Sequence, residues 1–145
     1  MTAAAPAPVA PARREIGRVD RGAPGPTVLV MAGVHGNEPA GVHAALRVLA
    51  ALDARAVPVR GRVVALAGNL PALAEGRRFL ARDLNRGWGA AALAALRERP
   101  AAARSPEDGQ QAELLERFED ALRTAKLQYE KQLRIKANND IVNGK

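Results

Sequence analysis

Apolar positions fall into two short unbroken runs and several stretches of helical spacing. The first run, Val28-Leu29-Val30-Met31-Ala32, has no polar residue on either alternating face. It predicts a strand over residues 27–34, interior to a sheet covered on both sides. The second run, Val63-Val64-Ala65-Leu66-Ala67, follows Arg62 and ends at Gly68-Asn69, and it predicts another buried strand. Between them, residues 39–52 place Val42, Leu46, Leu49 and Leu52 along one side of a helix, with Pro39 at the first helical position. Strand, helix and strand in that order imply a right-handed crossover and a layered α/β architecture. Upstream, residues 14–20 carry only Ile16 and Val19 as large apolar side chains, which predicts a short edge strand before the turn Gly22-Ala23-Pro24-Gly25-Pro26.

Downstream, residues 70–76 predict a short turn or helix and residues 77–88 a loop. Residues 91–98 predict a helix stopped at Arg99 by Pro100. Ser105-Pro106-Glu107-Asp108 opens the last helix: Ser105 can cap, Pro106 takes the first turn, and the two acids complement the dipole. Leu115, Phe118, Leu122 and Ala125 follow at helical spacing, and the pattern runs through Tyr129 and Leu133 to an expected end at Asn138-Asn139. The predicted fold is a three-layer α/β/α domain with a mixed, mainly parallel sheet and a long C-terminal helix.

Length and composition narrow this picture. A chain of 145 residues, nearly half of them apolar, suffices for one domain. Without cysteine it holds neither disulfides nor thiolate metal sites, which suits a reducing cytoplasm, the expected location. Residues 1–14 are rich in Ala and Pro, lack the features of a secretory signal, and predict a disordered or polyproline-like lead-in. No apolar run approaches the length needed to span a bilayer, so no membrane is expected as partner. The net charge of +7 raises nucleic acid as a partner, but the basic residues are scattered and aromatics that could stack on bases are nearly absent. No nucleic-acid partner is therefore expected. All four lysines lie after Ala125, which sets residues 126–145 apart in composition from residues 15–125. That shift reads as a segment of different origin or purpose, with an ordinary solvated helix end as the alternative.

Two stretches carry candidate chemistry. Gly33-Val34-His35-Gly36-Asn37-Glu38-Pro39 joins the first strand to the first helix, so His35 and Glu38 are delivered at a strand's carboxyl end, where ligands gather in α/β sheets. Imidazole and carboxylate are both zinc ligands, and the flanking glycines let the backbone bend so that they converge. A histidine at such a turn can equally bond a backbone carbonyl. The second stretch is Arg77-Arg78-Phe79-Leu80-Ala81-Arg82-Asp83-Leu84-Asn85-Arg86. Asn85 beside Arg86 suits recognition of a carboxylate, through a guanidinium fork and an orienting amide. Asp83 is placed to hold an arginine or the loop backbone. Standing alone, this motif would read as a surface salt-bridge cluster.

Together, His35-Gly36-Asn37-Glu38 and Asp83-Leu84-Asn85-Arg86 closely resemble the succinylglutamate desuccinylase and aspartoacylase family, zinc deacylases related in fold to zinc carboxypeptidases. Gly68-Asn69-Leu70-Pro71 and Arg78-Phe79 resemble the family's intervening segment, and the likeness covers residues 27–125 in matching order. The resemblance implies Zn2+ as cofactor, with His35 and Glu38 as the first two metal ligands. It implies that Arg78 polarises the scissile carbonyl and that Asn85 and Arg86 grip the substrate carboxylate. The implied reaction is hydrolysis of an N-acyl amino acid, the small-molecule partner, with a glutamate as general base.

The family's third ligand is a histidine in an Asp-x-His motif after the last helix, and no such motif follows Ala125. The catalytic glutamate has no match either. The chain thus reads as the N-terminal part of the catalytic domain, residues 15–125, followed by an atypical tail. His43, five residues after Glu38, is turned about 140° from it if both are helical, which disfavours it as the third ligand. Three readings follow: a zinc-dependent deacylase, an incomplete or non-catalytic relative, and a helical interaction module whose long last helix pairs with a partner, a homo-oligomer through that helix being one form of it. A zinc carboxypeptidase-like peptidase is less favoured, because Gly-Asn-Glu with Asp-Leu-Asn-Arg is closer to the deacylases.

Overall fold

The structure is a computed structural model that describes residue 11 and residues 13–142. The expected lead-in lies almost wholly outside these residues, as does Lys145. The elements in chain order are β1 (Glu15–Asp20), β2 (Thr27–Ala32), α1 (Ala40–Ala54), β3 (Arg62–Ala67), α2 (Leu70–Glu75), a 3-10 turn (Leu84–Arg86), α3 (Ala90–Glu98), a second 3-10 turn (Ala101–Ala103) and α4 (Pro106–Val142). The three strands form one sheet in the order β1-β3-β2. β2 runs parallel to β3, with Val28 opposite Val63 and Ala32 opposite Ala67, while β1 runs antiparallel to β3.

Alternation along the strands divides the core in two. Val19, Ala32, Ala65 and Ala67 face α1, where Val42, Ala45 and Leu49 meet them. Leu66, Val64 and Met31 face the other way, toward Leu84, Leu114 and Phe118. The domain is therefore three layers, α1 on one face of the sheet and α4 on the other.

Some sequence expectations need correction. β2 stops at Ala32, two residues early, because Gly33 turns the chain at φ 68°, a left-handed conformation that favours glycine. Among the described residues β2 is an edge strand, not an interior one, and Val28 and Val30 are 48% and 39% exposed. The sheet has one parallel and one antiparallel pairing, so it is mixed without being mainly parallel. Pro39 precedes α1 as its cap and is not its first residue. α4 does not end at Asn138-Asn139 but runs to Val142, since two weak helix formers cost only fractions of a kcal/mol in a segment free of glycine and proline beyond Gly109. Its outer half exposes Leu122, Leu127, Tyr129 and Leu133. No helix among the described residues is long and apolar enough to cross a membrane.

Arg14, grouped with the lead-in by composition, is 4% exposed. Its guanidinium donates to the carbonyl oxygens of Ala67 (2.5 Å) and Gly68, to Gln110 Oε1 (2.5 Å) and to Glu113 Oε2 (2.8 Å). It thereby ties the end of β3 to α4. A second tie lies at the start of α4, where Ser105 and Asp108 cap one another: the Asp108 N–H donates to Ser105 Oγ (3.1 Å) and the Ser105 N–H to Asp108 Oδ2 (2.9 Å). Asp108 also accepts from Arg82 Nε (2.9 Å) and Arg99 Nη1 (2.5 Å).

Burial of Asp108 acts to raise its pKa, but the Ser105 amide and the two guanidiniums outweigh it and lower the value from 3.8 to about 2. A depressed carboxylate stabilises the fold fully above its unfolded pKa and loses that contribution as pH falls through the folded value. Asp108 is therefore expected to contribute about 2 kcal/mol above pH 4, vanishing by about pH 2. Urea unfolding across that range is expected to show the decline, with a flatter profile and lower neutral-pH stability for Asp108→Asn.

Candidate functional site

The turn after β2 and the loop after α2 meet because Gly36 lets them. A Cβ at Gly36 would lie 2.0 Å from the carbonyl oxygen of Ala72 and 2.4 Å from that of Arg77. Its N–H donates to the Arg78 carbonyl at 3.3 Å. Asn69 caps α2 by accepting from the Ala72 N–H, and Gly76 ends that helix in the left-handed conformation, so the loop turns back at Arg77 toward the turn that carries His35.

His35 is the centre of what results. Its Nε2 lies 2.9 Å from Asp83 Oδ1, and its Nδ1 lies 3.4 Å from Glu38 Oε1. Arg78 bridges the two carboxylates, with Nη1 3.5 Å from Glu38 Oε1 and Nη2 3.6 Å from Asp83 Oδ2. Arg86 closes the group at 4.0 Å from Asp83 Oδ2, with its side chain 83% exposed. Asn85 joins through its backbone N–H, which donates to Asp83 Oδ1 at 2.9 Å. The bond from His35, then the Asn85 amide, hold the Asp83 pKa below the ordinary carboxylate range. The sequence-predicted residues His35, Glu38, Arg78 and Arg86 thus share one cluster, and Asn85 adjoins it through its main chain.

Asp83 had been expected to hold an arginine or the loop backbone, and it does both. Its bond to His35 was not foreseen. The cue available was that a ligating histidine usually donates its second nitrogen to a carboxylate. His43 stands apart: its buried Nε2 has no hydrogen-bond partner among the described residues, and it borders an open cleft beside the end of β2 with His35, Asn37 and Glu38.

Chemically, the cluster offers an imidazole nitrogen and a carboxylate oxygen at 3.4 Å. Two donors each about 2.0–2.2 Å from a tetrahedral metal ion stand about that far apart. The other imidazole nitrogen is already held by a carboxylate. Among the described residues no group of three or more histidine, aspartate or glutamate side chains is arranged to hold a metal. The pair therefore fits as part of a metal site and not as a whole one.

The family model of the succinylglutamate desuccinylase/aspartoacylase catalytic domain matches residues 24–130, a span that contains the entire cluster. The chain belongs to this family. Succinylglutamate desuccinylases of Yersinia pestis (strain Pestoides F) and Photorhabdus laumondii are each 38% identical to it over 63 residues, 43% of this chain and 19% of the relative. The matched stretch is thus about a fifth of these relatives' length. The crystal structure of the succinylglutamate desuccinylase from Chromobacterium violaceum is 31% identical, with a TM-score of 0.48 over 63% of this chain and 27% of that one.

The close approach at Gly36 generates a test. Gly36→Ala is expected to destabilise the domain by about 1–3 kcal/mol by forcing two backbones apart. It is also expected to separate His35 from Asp83. Urea unfolding and the nitrogen chemical shifts of the His35 ring check the two effects.

Proposed function

We propose that this chain carries part of the site of a zinc-dependent deacylase, acting on the amide bond of an N-acyl amino acid that bears a carboxylate. The observation that supports this most is the gathering of His35, Glu38, Arg78, Asp83 and Arg86 within the stretch matched by the family model. In this reading His35 Nδ1 and Glu38 would hold the ion. Zinc, when bound, lowers the pKa of a coordinated water and polarises a carbonyl. Asp83 accepts from His35 Nε2, which fixes the ring's tautomer and leaves the Nδ1 lone pair to face the ion. Arg78, half exposed beside Glu38, is placed to pair with a developing oxyanion. Arg86, the most exposed member, offers its guanidinium fork to a substrate carboxylate, with Asn85 next to it.

This reading gives the chain as it stands two protein ligands and no assigned general base. Zinc is expected to bind one-to-one but weakly. Asp83→Asn should weaken binding by a further factor of about 10–100, the usual range for a partner that orients a ligand, and His35→Ala should abolish it. No appreciable turnover of N-acetylaspartate or N-succinylglutamate is expected. Calorimetry with zinc, followed by the two assays, checks this; tight binding that survives His35→Ala would contradict it.

A further inference from the structure

We propose that Glu107, outside both site motifs, is the positioning residue that sets the loop of the candidate site. This rests on the reading above for what the loop is for, but its own evidence is geometric. Glu107 is fully buried in the first turn of α4. Its Oε1 accepts from the Leu80 N–H (2.6 Å) and from Asn69 Nδ2 (3.1 Å). Its Oε2 accepts from the Ala81 N–H (3.1 Å) and the Arg82 N–H (3.3 Å). Three consecutive loop amides converge on one carboxylate, and four donors fill its capacity as an acceptor.

The consequences reach the site from both ends of those amides. Arg78 lies two residues before Leu80 and Asp83 one residue after Arg82. These are the two side chains that the loop sends to Glu38 and His35. Asn69, the fourth donor, caps the start of α2 through its side-chain oxygen, so the same carboxylate also holds the helix that leads into the loop. A neighbour supplies the contrast. Asp108 binds the side chains of Arg82 and Arg99 and the Ser105 amide, and none of the loop amides. It stabilises the helix start without setting the backbone that presents Arg78 and Asp83.

Burial works to raise the Glu107 pKa, yet the loop amides and Asn69 hold it below the ordinary range, so the group is a carboxylate in the folded chain at neutral pH. Glu107→Gln keeps the shape but replaces one acceptor oxygen with an amide that faces loop N–H groups. The fold is retained by the sheet and its two cores, while the loop loses its fixed position.

The test needs neither zinc nor substrate, so its failure is separate from failure of the deacylase reading. In the unaltered chain, amide hydrogen exchange at Leu80, Ala81 and Arg82 is expected to be as slow as in β3. Rapid exchange there would overturn the proposal without any variant. In Glu107→Gln these three amides are expected to exchange about tenfold faster or more, with β3 unchanged. The ring-nitrogen shifts of His35 should then move away from those of an imidazole bonded to a carboxylate. Asp108→Asn should lower the melting temperature and leave the His35 signals in place, and Glu107→Asp, which keeps the charge, should recover part of them. His35 signals unmoved in Glu107→Gln while the loop amides exchange freely would reduce Glu107 to a structural residue.

Discussion

A buried carboxylate facing three backbone amides is the interaction on which the site depends. Loops ordinarily satisfy their N–H groups with water, and a buried charge ordinarily costs more than it returns. At Glu107 each problem answers the other: Leu80, Ala81 and Arg82 find an acceptor, and the charge finds four donors. Hydrogen bonds to a charged group contribute about 1.5–3 kcal/mol each, twice the usual share or more. The middle of the segment 77–88 is thus tied to α4, although only its 3-10 turn at Leu84–Arg86 has regular structure. Leu84, fully buried against Leu66 and Leu114, anchors the far end of the same loop in the second core.

The sheet supplies the other half of the site. β2 ends where Gly33 turns the chain, so His35 leaves the carboxyl edge of the strand and meets the loop coming from α2. Contact between the two segments is direct, backbone against backbone at Gly36. Long-range ties keep the layers in register: Arg14 links the end of β3 to α4, and α4 carries Glu107 and Asp108. Site geometry therefore depends on a helix that contributes no side chain to the cluster itself.

Much of this was legible in the sequence, for reasons that differ by element. β3 was readable because its apolar run is bounded by Gly61 and Gly68, and the Ser105 cap of α4 because Ser105 and Pro106 precede two acids and a helical pattern, although the return bond from Asp108 was not read. The gathering of His35, Glu38, Arg78 and Arg86 in one place was readable through motif order. The burial of Arg14 was not, because its partners at Gly68, Gln110 and Glu113 are 54, 96 and 99 residues away. Glu107 was read as an acid suited to a helix dipole, a sufficient local reason that concealed its tertiary one. The exposure of β2 was missed because an apolar run reports what a strand could bury, not which neighbour is present.

The central claim is that His35 Nδ1 and Glu38 form half of a metal site whose imidazole is oriented by Asp83. Zinc K-edge absorption fine structure of the chain at millimolar concentration with one equivalent of zinc tests it most directly. The account predicts one imidazole per zinc with oxygen ligands completing the shell, and loss of the imidazole signal in His35→Ala. Two imidazoles, or one that survives that substitution, would place the ion on His43 and contradict it.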